Sequence, residues 1–327
     1  MSIAPRDAVT WGFLGAGWIA QRAMADAVHA SGNARLHGVA SRDAGRSAAL
    51  KPAIVHQSYA DLLDDPDIEV VYICLANHQH ARWAIRAVEA GKHVVCEKPM
   101  GLDAGQARLM TMAARGADRL LVEAAWARWH PRFRRLSNLA AAGDLGSIVG
   151  IDSAFTFTAD VTDNYRGDPD MGGGALLDVG GYSAHAWVSV TPAGAGFAPL
   201  RVDQDRAANG VDLTTRVRGR VGDGASVQAL FSFAQPERQS LSVTGSESSA
   251  RMLGESAFTS WREPSALLVD GHEEEFPAVD GYRIMVENVS AVAREEDGWV
   301  VPIEESLRVA EILDAIADAA DDGGYQG

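Results

Sequence analysis

The chain has 327 residues, of which 47% are hydrophobic and 22% are charged, and its formal net charge is −15 at pH 7. This length suits two domains with a large buried core. Such an acidic chain repels phosphate backbones and anionic lipid surfaces, so neither nucleic acid nor a membrane is expected as a partner. Residues 1–10 show no export signal and no apolar run reaches membrane-spanning length, so we expect a cytoplasmic protein.

Both cysteines, Cys74 and Cys96, lie in short apolar runs typical of buried strands. Neither has a second cysteine at the spacing of a metal site. We therefore expect neither a disulfide framework nor a metal site.

A glycine-rich turn follows the first predicted strand, residues 9–14, and leads into a predicted helix over residues 21–30. Gly15 permits the tight turn, and Gly17 lets the backbone approach a pyrophosphate at the helix N-terminus. The alternative is a glycine turn that binds nothing. The residues of this turn that we assign to cofactor binding are Gly15, Gly17, Trp18 and Ile19.

Further strands and helices alternate over the first half of the chain. Strands are predicted over residues 36–40, 70–76, 93–97 and 120–124, and helices over residues 80–90 and 104–114. Alternation at this spacing predicts a parallel sheet that is covered on both faces, as in an α/β fold.

The end of the second predicted strand indicates which dinucleotide binds. A fold that prefers NAD usually places Asp or Glu there for the ribose 2′-hydroxyl. This chain has Ser41 and Arg42, a hydroxyl and a guanidinium that suit a 2′-phosphate. NADP is therefore favoured over NAD. The alternative is that Arg42 is a solvated residue at a helix start and that Asp43 binds the ribose.

Lys98 is one of only three lysines in a chain that otherwise uses arginine for positive charge. The short strand before it delivers this lysine to a strand end, next to Pro99. An ammonium group with a tunable pKa at such a place suggests a chemical role. The alternative is a surface lysine that follows a strand.

In the second half of the chain, apolar and polar residues alternate with a period of two. This pattern predicts an antiparallel sheet with one buried face and one polar face. The odd positions are apolar and form the predicted buried face: Ile151, Phe155, Phe157, Val211, Leu213, Val217, Val227, Phe231, Phe233, Leu241 and Val243. The even positions are polar, among them Thr156, Thr214, Arg216, Arg218, Arg220 and Ser232. That polar face meets either water or another subunit.

Three glycines, residues 172–174, precede a probable helix that carries Asp178 and Tyr182 four residues apart, and therefore on one face. A phenol has a pKa of about 10 and is a poor base unless a cation stabilises the phenolate. Lys98 can supply that charge, with Asp178 holding Lys98 in place, and His185 is a third candidate. The alternative is that Asp178 caps the helix while Tyr182 and His185 pack beneath the sheet.

These motifs and their order resemble the glucose–fructose oxidoreductase, inositol dehydrogenase and rhizopine catabolism protein family, Gfo/Idh/MocA, over nearly the whole chain. The segments that carry the resemblance are Gly15-Ala16-Gly17-Trp18-Ile19-Ala20, Asn77-His78-Gln79-His80, Glu97-Lys98-Pro99, Glu123-Ala124-Ala125-Trp126-Ala127-Arg128 and residues 172–182. The resemblance implies an α/β protein with an N-terminal Rossmann domain over residues 1–125. It also implies a C-terminal α/β domain over residues 126–327, with a large, mostly antiparallel open sheet through which members form homodimers or higher homo-oligomers.

The resemblance also implies roles for single residues. Lys98 matches the catalytic lysine and Asp178 its acidic partner. The implied cofactor contacts near Lys98 are Ala76, Asn77, His80, Glu97 and Lys98 itself. Tyr182 is the residue found in NADP-linked xylose dehydrogenases and dimeric dihydrodiol dehydrogenases. The lack of the long N-terminal arm of glucose–fructose oxidoreductase argues against tightly retained NADP.

The function expected from these residues is NADP-dependent oxidation or reduction of a sugar-like hydroxyl or carbonyl, in an aldose or a vicinal diol. Tyr182 would take the hydroxyl proton while Lys98 holds the oxygen. The expected substrate contacts are Trp126, Asn164, Arg166 and His185. Two alternatives remain, a non-catalytic NADP-sensing regulator and a glycosidase of the same family that oxidises its substrate transiently.

Overall fold

A computed structural model describes residues 8–323 of the chain. Residues 1–7, which include most of the stretch where no export signal was expected, lie outside the described residues, as do residues 324–327. The chain divides into two compact units. Unit 1 contains Met1–Gly101, Gly105–Trp126 and Asp280–Ile303, and unit 2 contains Leu102–Ala104, Ala127–Val279 and Glu304–Gly327. Within the described residues, every helix is too short or too polar to cross a lipid bilayer.

Six parallel strands form the sheet of unit 1. They are β1 (Val9–Leu14), β2 (Ala34–Ala40), β3 (Ile54–Val55), β4 (Val70–Ile73), β5 (His93–Cys96) and β6 (Leu121–Glu123). Their order across the sheet is β3-β2-β1-β4-β5-β6. This is the order of a doubly wound dinucleotide-binding fold. It confirms the class predicted from the alternation of strands and helices.

The second sheet lies in unit 2 and has eight strands. They are β7 (Ile148–Thr158), β8 (Phe197–Arg206), β9 (Asp212–Val221), β10 (Ala225–Ser232), β11 (Ala234–Gly245), β12 (Ser249–Met252), β13 (Ser265–Val269) and β14 (His272–Phe276). Their order is β14-β13-β12-β11-β7-β10-β9-β8, in which only the β7 and β10 pair is parallel. The prediction of a large, mostly antiparallel open sheet is confirmed.

Helices cover both sheets. In chain order they are α1 (Ala25–Ala30), α2 (Ala44–Ala49), α3 (Tyr59–Leu63), α4 (His80–Glu89), α5 (Ala104–Gly116), α6 (Pro131–Ala142), α7 (Gly181–Val190), α8 (Gly281–Ala293) and α9 (Ile303–Gly323). Two π-helical segments, Ala20–Met24 and Leu176–Gly180, run directly into α1 and α7. Each follows one of the two glycine-rich stretches of the sequence, and wide helical turns of this kind often occur at functional sites.

The segment Asp280–Ile303 belongs to unit 1, whereas the sequence analysis placed it in the second domain. Polar contacts fix it there. The Trp11 indole nitrogen donates to the Ser290 hydroxyl at 3.0 Å, and the Arg294 guanidinium pairs with the Glu69 carboxylate at 2.9 Å. These partners are more than 200 residues apart in sequence, so no local pattern could have indicated the contacts.

The alternation predicted for the second sheet holds over most of its length. Ile151, Phe231 and Leu241 are each at most 1% exposed, as expected for the buried face. At one end of the sheet the polar face is also buried, at Thr156, Thr214 and Ser232. There the Thr156 hydroxyl donates to the Pro236 carbonyl at 2.6 Å, and the Thr214 and Ser232 hydroxyls contact each other at 2.7 Å. Hydroxyl groups that satisfy one another can be buried at little cost.

Candidate active site

The turn after β1 contains Gly15 and Gly17, and the two positions differ in whether the fold requires glycine. Gly15 has a φ of +101°, and a Cβ atom on it would lie 2.6 Å from the Cys74 carbonyl oxygen, so the fold itself demands glycine. Gly17 has no such conformation, and a Cβ atom there would meet the same oxygen at an ordinary 3.4 Å. A side chain at position 17 is therefore tolerated by the fold, and its absence keeps the backbone open to a ligand.

The two other residues predicted in this turn differ in exposure. Trp18 is 67% exposed, and the Arg22 guanidinium lies 5.2 Å from the centre of its ring. Ile19 is half-buried. The turn thus presents an exposed aromatic ring and a cation beside the start of the helical segment.

The end of β2 carries the residues predicted to choose between NADP and NAD. The Ser41 hydroxyl donates to the Asp43 carbonyl at 2.7 Å, and Arg42 is exposed. The Asp43 carboxylate accepts the Arg46 backbone N–H at 3.0 Å and so caps α2. The Asp43 carboxylate, which was the alternative ligand of the ribose, thus forms a hydrogen bond at the start of the helix. Arg42 remains exposed.

Arg46 is a residue that the sequence analysis missed. Its guanidinium donates to the Ala16 carbonyl at 2.6 Å and so ties α2 to the glycine turn. The sequence offered no periodic signal for this contact, because Arg42 precedes the Asp43 cap and does not share a helix with Arg46.

Lys98 lies two residues after the end of β5 and is half-buried, and the Lys98–Pro99 peptide bond is cis. The neighbouring Glu97 carboxylate accepts the Tyr72 hydroxyl at 2.5 Å and the Lys98 backbone N–H at 3.3 Å. Burial raises the pKa of Glu97, although the Tyr72 hydrogen bond and the Lys98 ammonium act in the opposite direction. The Lys98 ammonium is therefore near enough to Glu97 for a direct electrostatic interaction.

Glu123, at the end of β6, is a second carboxylate in this part of unit 1. It is 2% exposed, and it accepts the Met100 backbone N–H at 3.1 Å. Its charge contributes to the raised pKa of Glu97. The sequence analysis quoted Glu123 as part of a motif but gave it no role, although a charged residue inside an otherwise apolar strand was the available signal.

His80 is completely buried at the start of α4. Its ring nitrogens lie 2.8 Å from the Pro99 carbonyl oxygen and 3.0 Å from the Leu75 carbonyl oxygen. Burial lowers the pKa of His80, so the neutral ring is favoured, and a neutral imidazole can donate to only one of these oxygens. His80 thus lies between Pro99 and the end of β4 and can donate to the carbonyl of one of them. Of the two other predicted contacts in this region, Asn77 is buried and Ala76 is half-buried.

In unit 2, Asp178 is 5% exposed and its Oδ2 atom accepts a hydrogen bond from Nε of Arg166 at 2.8 Å. Burial acts to lower the pKa of Arg166, but the charge of Asp178 and the phenols of Tyr165 and Tyr182 outweigh it, and the pKa is raised. The guanidinium of Arg166 is therefore bound to Asp178, and the Tyr182 phenol is among the groups that raise its pKa.

The ring of Tyr182 is held by apolar neighbours of its own unit. Its centre lies 5.1 Å from that of Phe155 and 5.8 Å from that of Phe258. Packing of the ring restricts where the phenol oxygen can lie, while the residue as a whole stays half-buried.

The remaining predicted substrate contacts are placed as follows. Asn164 is exposed, and its side chain caps a short 3₁₀ helix by accepting the Arg166 backbone N–H at 2.8 Å. His185 is 4% exposed within α7. Trp126 belongs to unit 1, is 4% exposed, and stacks on Tyr282 with ring centres 4.6 Å apart.

Comparison with known proteins bears on what these residues do. Residues 9–124 match the model of the GFO_IDH_MocA oxidoreductase family with an NAD-binding Rossmann fold, and residues 133–251 match that of the GFO/IDH/MocA C-terminal domain. A D-xylose 1-dehydrogenase (NADP(+)) of Haloferax volcanii is 33% identical over 96% of this chain and 98% of its own length. A trans-1,2-dihydrobenzene-1,2-diol dehydrogenase of Bos taurus is 29% identical over 95% and 97%.

A solved structure is similar over almost the whole chain. It is a 3-ketoreductase from Actinomadura kijaniata in complex with NADP and TDP-benzene. The TM-score is 0.85 at 25% identity, over 95% of this chain and 98% of the ketoreductase.

Proposed function

Since this chain belongs to the Gfo/Idh/MocA oxidoreductase family, we propose that it is an NADP-dependent dehydrogenase for a hydroxyl group of an aldose or a vicinal diol. The family and the fold make the chain an oxidoreductase with an NAD(P)-binding Rossmann domain that acts on CH–OH groups. The choice of NADP, the substrate class and the residue roles are the proposal.

NADP fits the residues of unit 1. Gly17 leaves the backbone open where the helical segment begins, which suits the pyrophosphate. The Ser41 hydroxyl and the exposed Arg42 guanidinium suit the 2′-phosphate, and Arg46, in the first turn of α2, holds the glycine turn through the Ala16 carbonyl. The Haloferax volcanii relative is named as an NADP(+) enzyme, which supports the same choice. When bound, the nicotinamide accepts or delivers the hydride.

In the proposed oxidation, Tyr182 takes the proton from the substrate hydroxyl and Lys98 holds the same oxygen. The observation that carries this assignment is the ion pair of Arg166 with the buried Asp178 carboxylate, in the unit that carries Tyr182, together with the contribution of the Tyr182 phenol to the raised pKa of Arg166. A phenol is a poor base near neutral pH unless a cation favours its ionised form. Arg166 is such a cation in unit 2, and Lys98 is the second one that the proposal requires.

The structure changes the role that we propose for Arg166. The sequence suggested a contact to the remote hydroxyl groups of the substrate, but the guanidinium is engaged by the buried Asp178 carboxylate. We therefore treat Arg166 as a positioning residue for Asp178 and Tyr182. Trp126, Asn164 and His185 stay predictions as substrate contacts.

Assembly and location are part of the same proposal. A homodimer or higher homo-oligomer would pair through the polar face of the second sheet, where Arg216, Arg218 and Arg220 are exposed. The proposed location is the cytoplasm. Free thiols at Cys74 and Cys96 are consistent with a reducing compartment.

The proposal is tested by a screen of NADP⁺ and NAD⁺ reduction over aldoses, inositols, cyclic diols and anhydrosugars. We expect NADPH to accumulate with an aldose or a vicinal diol, and NADP⁺ to be preferred over NAD⁺. Binding of NADP without turnover of any substrate would instead identify a sensor. Release of an aglycone from glycosides without net NADPH would identify a glycosidase.

A further inference from the structure

A cluster of histidine and aspartate side chains in unit 1 takes no part in the proposed chemistry. His37 on β2, His56 just after β3, and Asp65 and Asp67 in the turn between α3 and β4 form it. His37 Nε2 and His56 Nε2 each lie 3.3 Å from Oδ2 of Asp65. One ligand atom each from His37, Asp65 and Asp67 also lie within 4.8 Å of one another.

The imidazole of His37 is buried without a hydrogen bond, and one nitrogen of the half-buried His56 is also without one among the described residues. His37 is 7% exposed, and neither of its ring nitrogens has a hydrogen-bond partner among residues 8–323. The same holds for Nε2 of His56, although it faces the Asp65 carboxylate. A buried polar atom that lacks a partner costs about 1–3 kcal/mol, so such groups call for an explanation.

The spacing of these atoms differs from that of hydrogen-bonded ion pairs. A charge-assisted N–H to carboxylate bond is about 2.7–2.9 Å long. Two ligands on one tetrahedral zinc ion, at about 2.0–2.2 Å from the metal, are roughly 3.3–3.5 Å apart. The His37 to Asp65 separation, at 3.3 Å, matches the second case.

The surroundings hold the cluster in place. A Cβ atom on Gly38 would lie 2.8 Å from His56 Nε2, so glycine at this strand position makes room for the imidazole. The Lys92 ammonium donates to the backbone carbonyls of Asp65 and Ile68 at 2.6 and 2.9 Å. Lys92 therefore fixes the backbone of the turn and leaves the Asp65 Oδ2 atom and the Asp67 carboxylate available.

We propose that His37, Asp65 and Asp67 bind a divalent transition-metal ion such as Zn²⁺, with His56 beside Asp65. Imidazole ligands favour such an ion over Mg²⁺ or Ca²⁺, and two carboxylates balance its charge. The ion ties the turn between α3 and β4 to β2, and its binding energy adds to the stability of the fold. The sequence analysis expected no metal because it considered only cysteine spacing, and these three residues are separated by up to 30 positions.

The test uses the tag-free full chain, freed of metal with a chelator and then titrated with Zn²⁺ by calorimetry and with Co²⁺ by visible absorption. We expect one Zn²⁺ per chain, a Co²⁺ spectrum typical of nitrogen and oxygen ligands, and a Zn²⁺-dependent rise in the thermal unfolding midpoint. His37→Gln and Asp67→Asn should each weaken Zn²⁺ binding at least about 10-fold, since even outer partners of metal ligands are worth that much.

Two control variants match these changes. Asp64→Asn alters the same charge in the same exposed turn, and His272→Gln removes an exposed histidine, so both should keep the affinity within about 2-fold. If His37→Gln fails to fold, comparing Asp67→Asn with Asp64→Asn still tests the proposal, because both side chains are exposed and neither substitution should prevent folding. Absence of saturable Zn²⁺ and Co²⁺ binding, or equal affinity in Asp67→Asn and Asp64→Asn, would overturn the proposal.

Discussion

Nε of Arg166 donates a hydrogen bond to Oδ2 of Asp178 across 2.8 Å, in the unit that carries the Tyr182 phenol. The carboxylate is buried and the guanidinium is one-third exposed, so Asp178 is the more firmly packed member of the pair. The charge of Arg166 acts on Tyr182 as well. The ionic environment of the proposed base is thus built from residues of its own unit, before Lys98 is considered.

The first prediction concerns Arg166. Replacing it with Gln removes a charge-assisted hydrogen bond worth about 1.5–3 kcal/mol, so kcat should fall about 10- to 100-fold. Arg166→Lys keeps the charge and should recover part of the loss, and the KM for NADP should stay close to that of the parent. The control is Arg201→Gln, which breaks an exposed ion pair with Asp203. Equal kcat for Arg166→Gln and Arg201→Gln would remove Arg166 from the mechanism.

The second prediction concerns the cofactor. Arg42→Ala should raise the KM for NADP⁺ about 10- to 100-fold, because one or two charge-assisted hydrogen bonds to the 2′-phosphate are lost. The KM for NAD⁺, which lacks that phosphate, should change little. Steady-state kinetics with both cofactors measure the ratio of the KM for NADP⁺ to the KM for NAD⁺ in the parent and in the variant. If Arg42→Ala affects both cofactors equally, the alternative in which Asp43 binds the ribose is favoured.

The third prediction concerns stability at acidic pH. Burial, together with the charge of Arg132, lowers the pKa of His130 to about 4. Since the unfolded chain binds this proton near pH 6.5, the neutral histidine stabilises the fold fully above that pH, and the contribution is lost as pH falls towards 4. The free energy of unfolding should fall by roughly 3 kcal/mol over this range, because each unit of difference between the folded and unfolded pKa values is worth about 1.4 kcal/mol.

The matching variant is His130→Asn. Asparagine can replace the cap that the His130 ring provides to the Arg132 backbone N–H, but it does not titrate. Urea unfolding between pH 4 and pH 7 should show a flatter pH dependence for the variant than for the parent. Parallel curves would show that His130 does not contribute to acid sensitivity.

The fourth prediction concerns the thiols. Burial raises the pKa of Cys74 to about 12 and that of Cys96 well above its usual range, so neither forms a thiolate at neutral pH. A thiol reagent at pH 8 should therefore modify neither cysteine in the native chain and both after unfolding in urea. Rapid labelling of the native chain would contradict the buried position of these strands.

Most of the fold was predictable because the strands of unit 1 are continuous apolar runs. The predicted strand over residues 9–14 is found at Val9–Leu14, and the predicted helix over residues 80–90 at His80–Glu89. The hairpin of β13 and β14 was missed, because its His272–Phe276 strand has little apolar alternation. The parallel pairing of β7 with β10 was also beyond local patterns, since it joins strands about 75 residues apart.

The candidate site was predictable as residue types and less so as contacts. Lys98, Asp178 and Tyr182 were found from motifs and spacing. The partner of Asp178 in unit 2 is Arg166, which the sequence analysis assigned to the substrate, because an ion pair across 12 residues of irregular loop has no periodic signal. His185 was selected for its position one turn after Tyr182, yet its face of α7 is buried.

The central claim is that Lys98 and Tyr182 act on one substrate oxygen, and a double-mutant cycle tests it most directly. NADP⁺ reduction is measured for Lys98→Met, Tyr182→Phe and the double variant, with NADP binding measured separately. Each single change should cut kcat about 10²- to 10⁴-fold while NADP still binds. Because groups that act as a unit are strongly non-additive, the double variant should be little worse than the poorer single one. Losses that simply multiply, or full activity in Tyr182→Phe, would contradict the account.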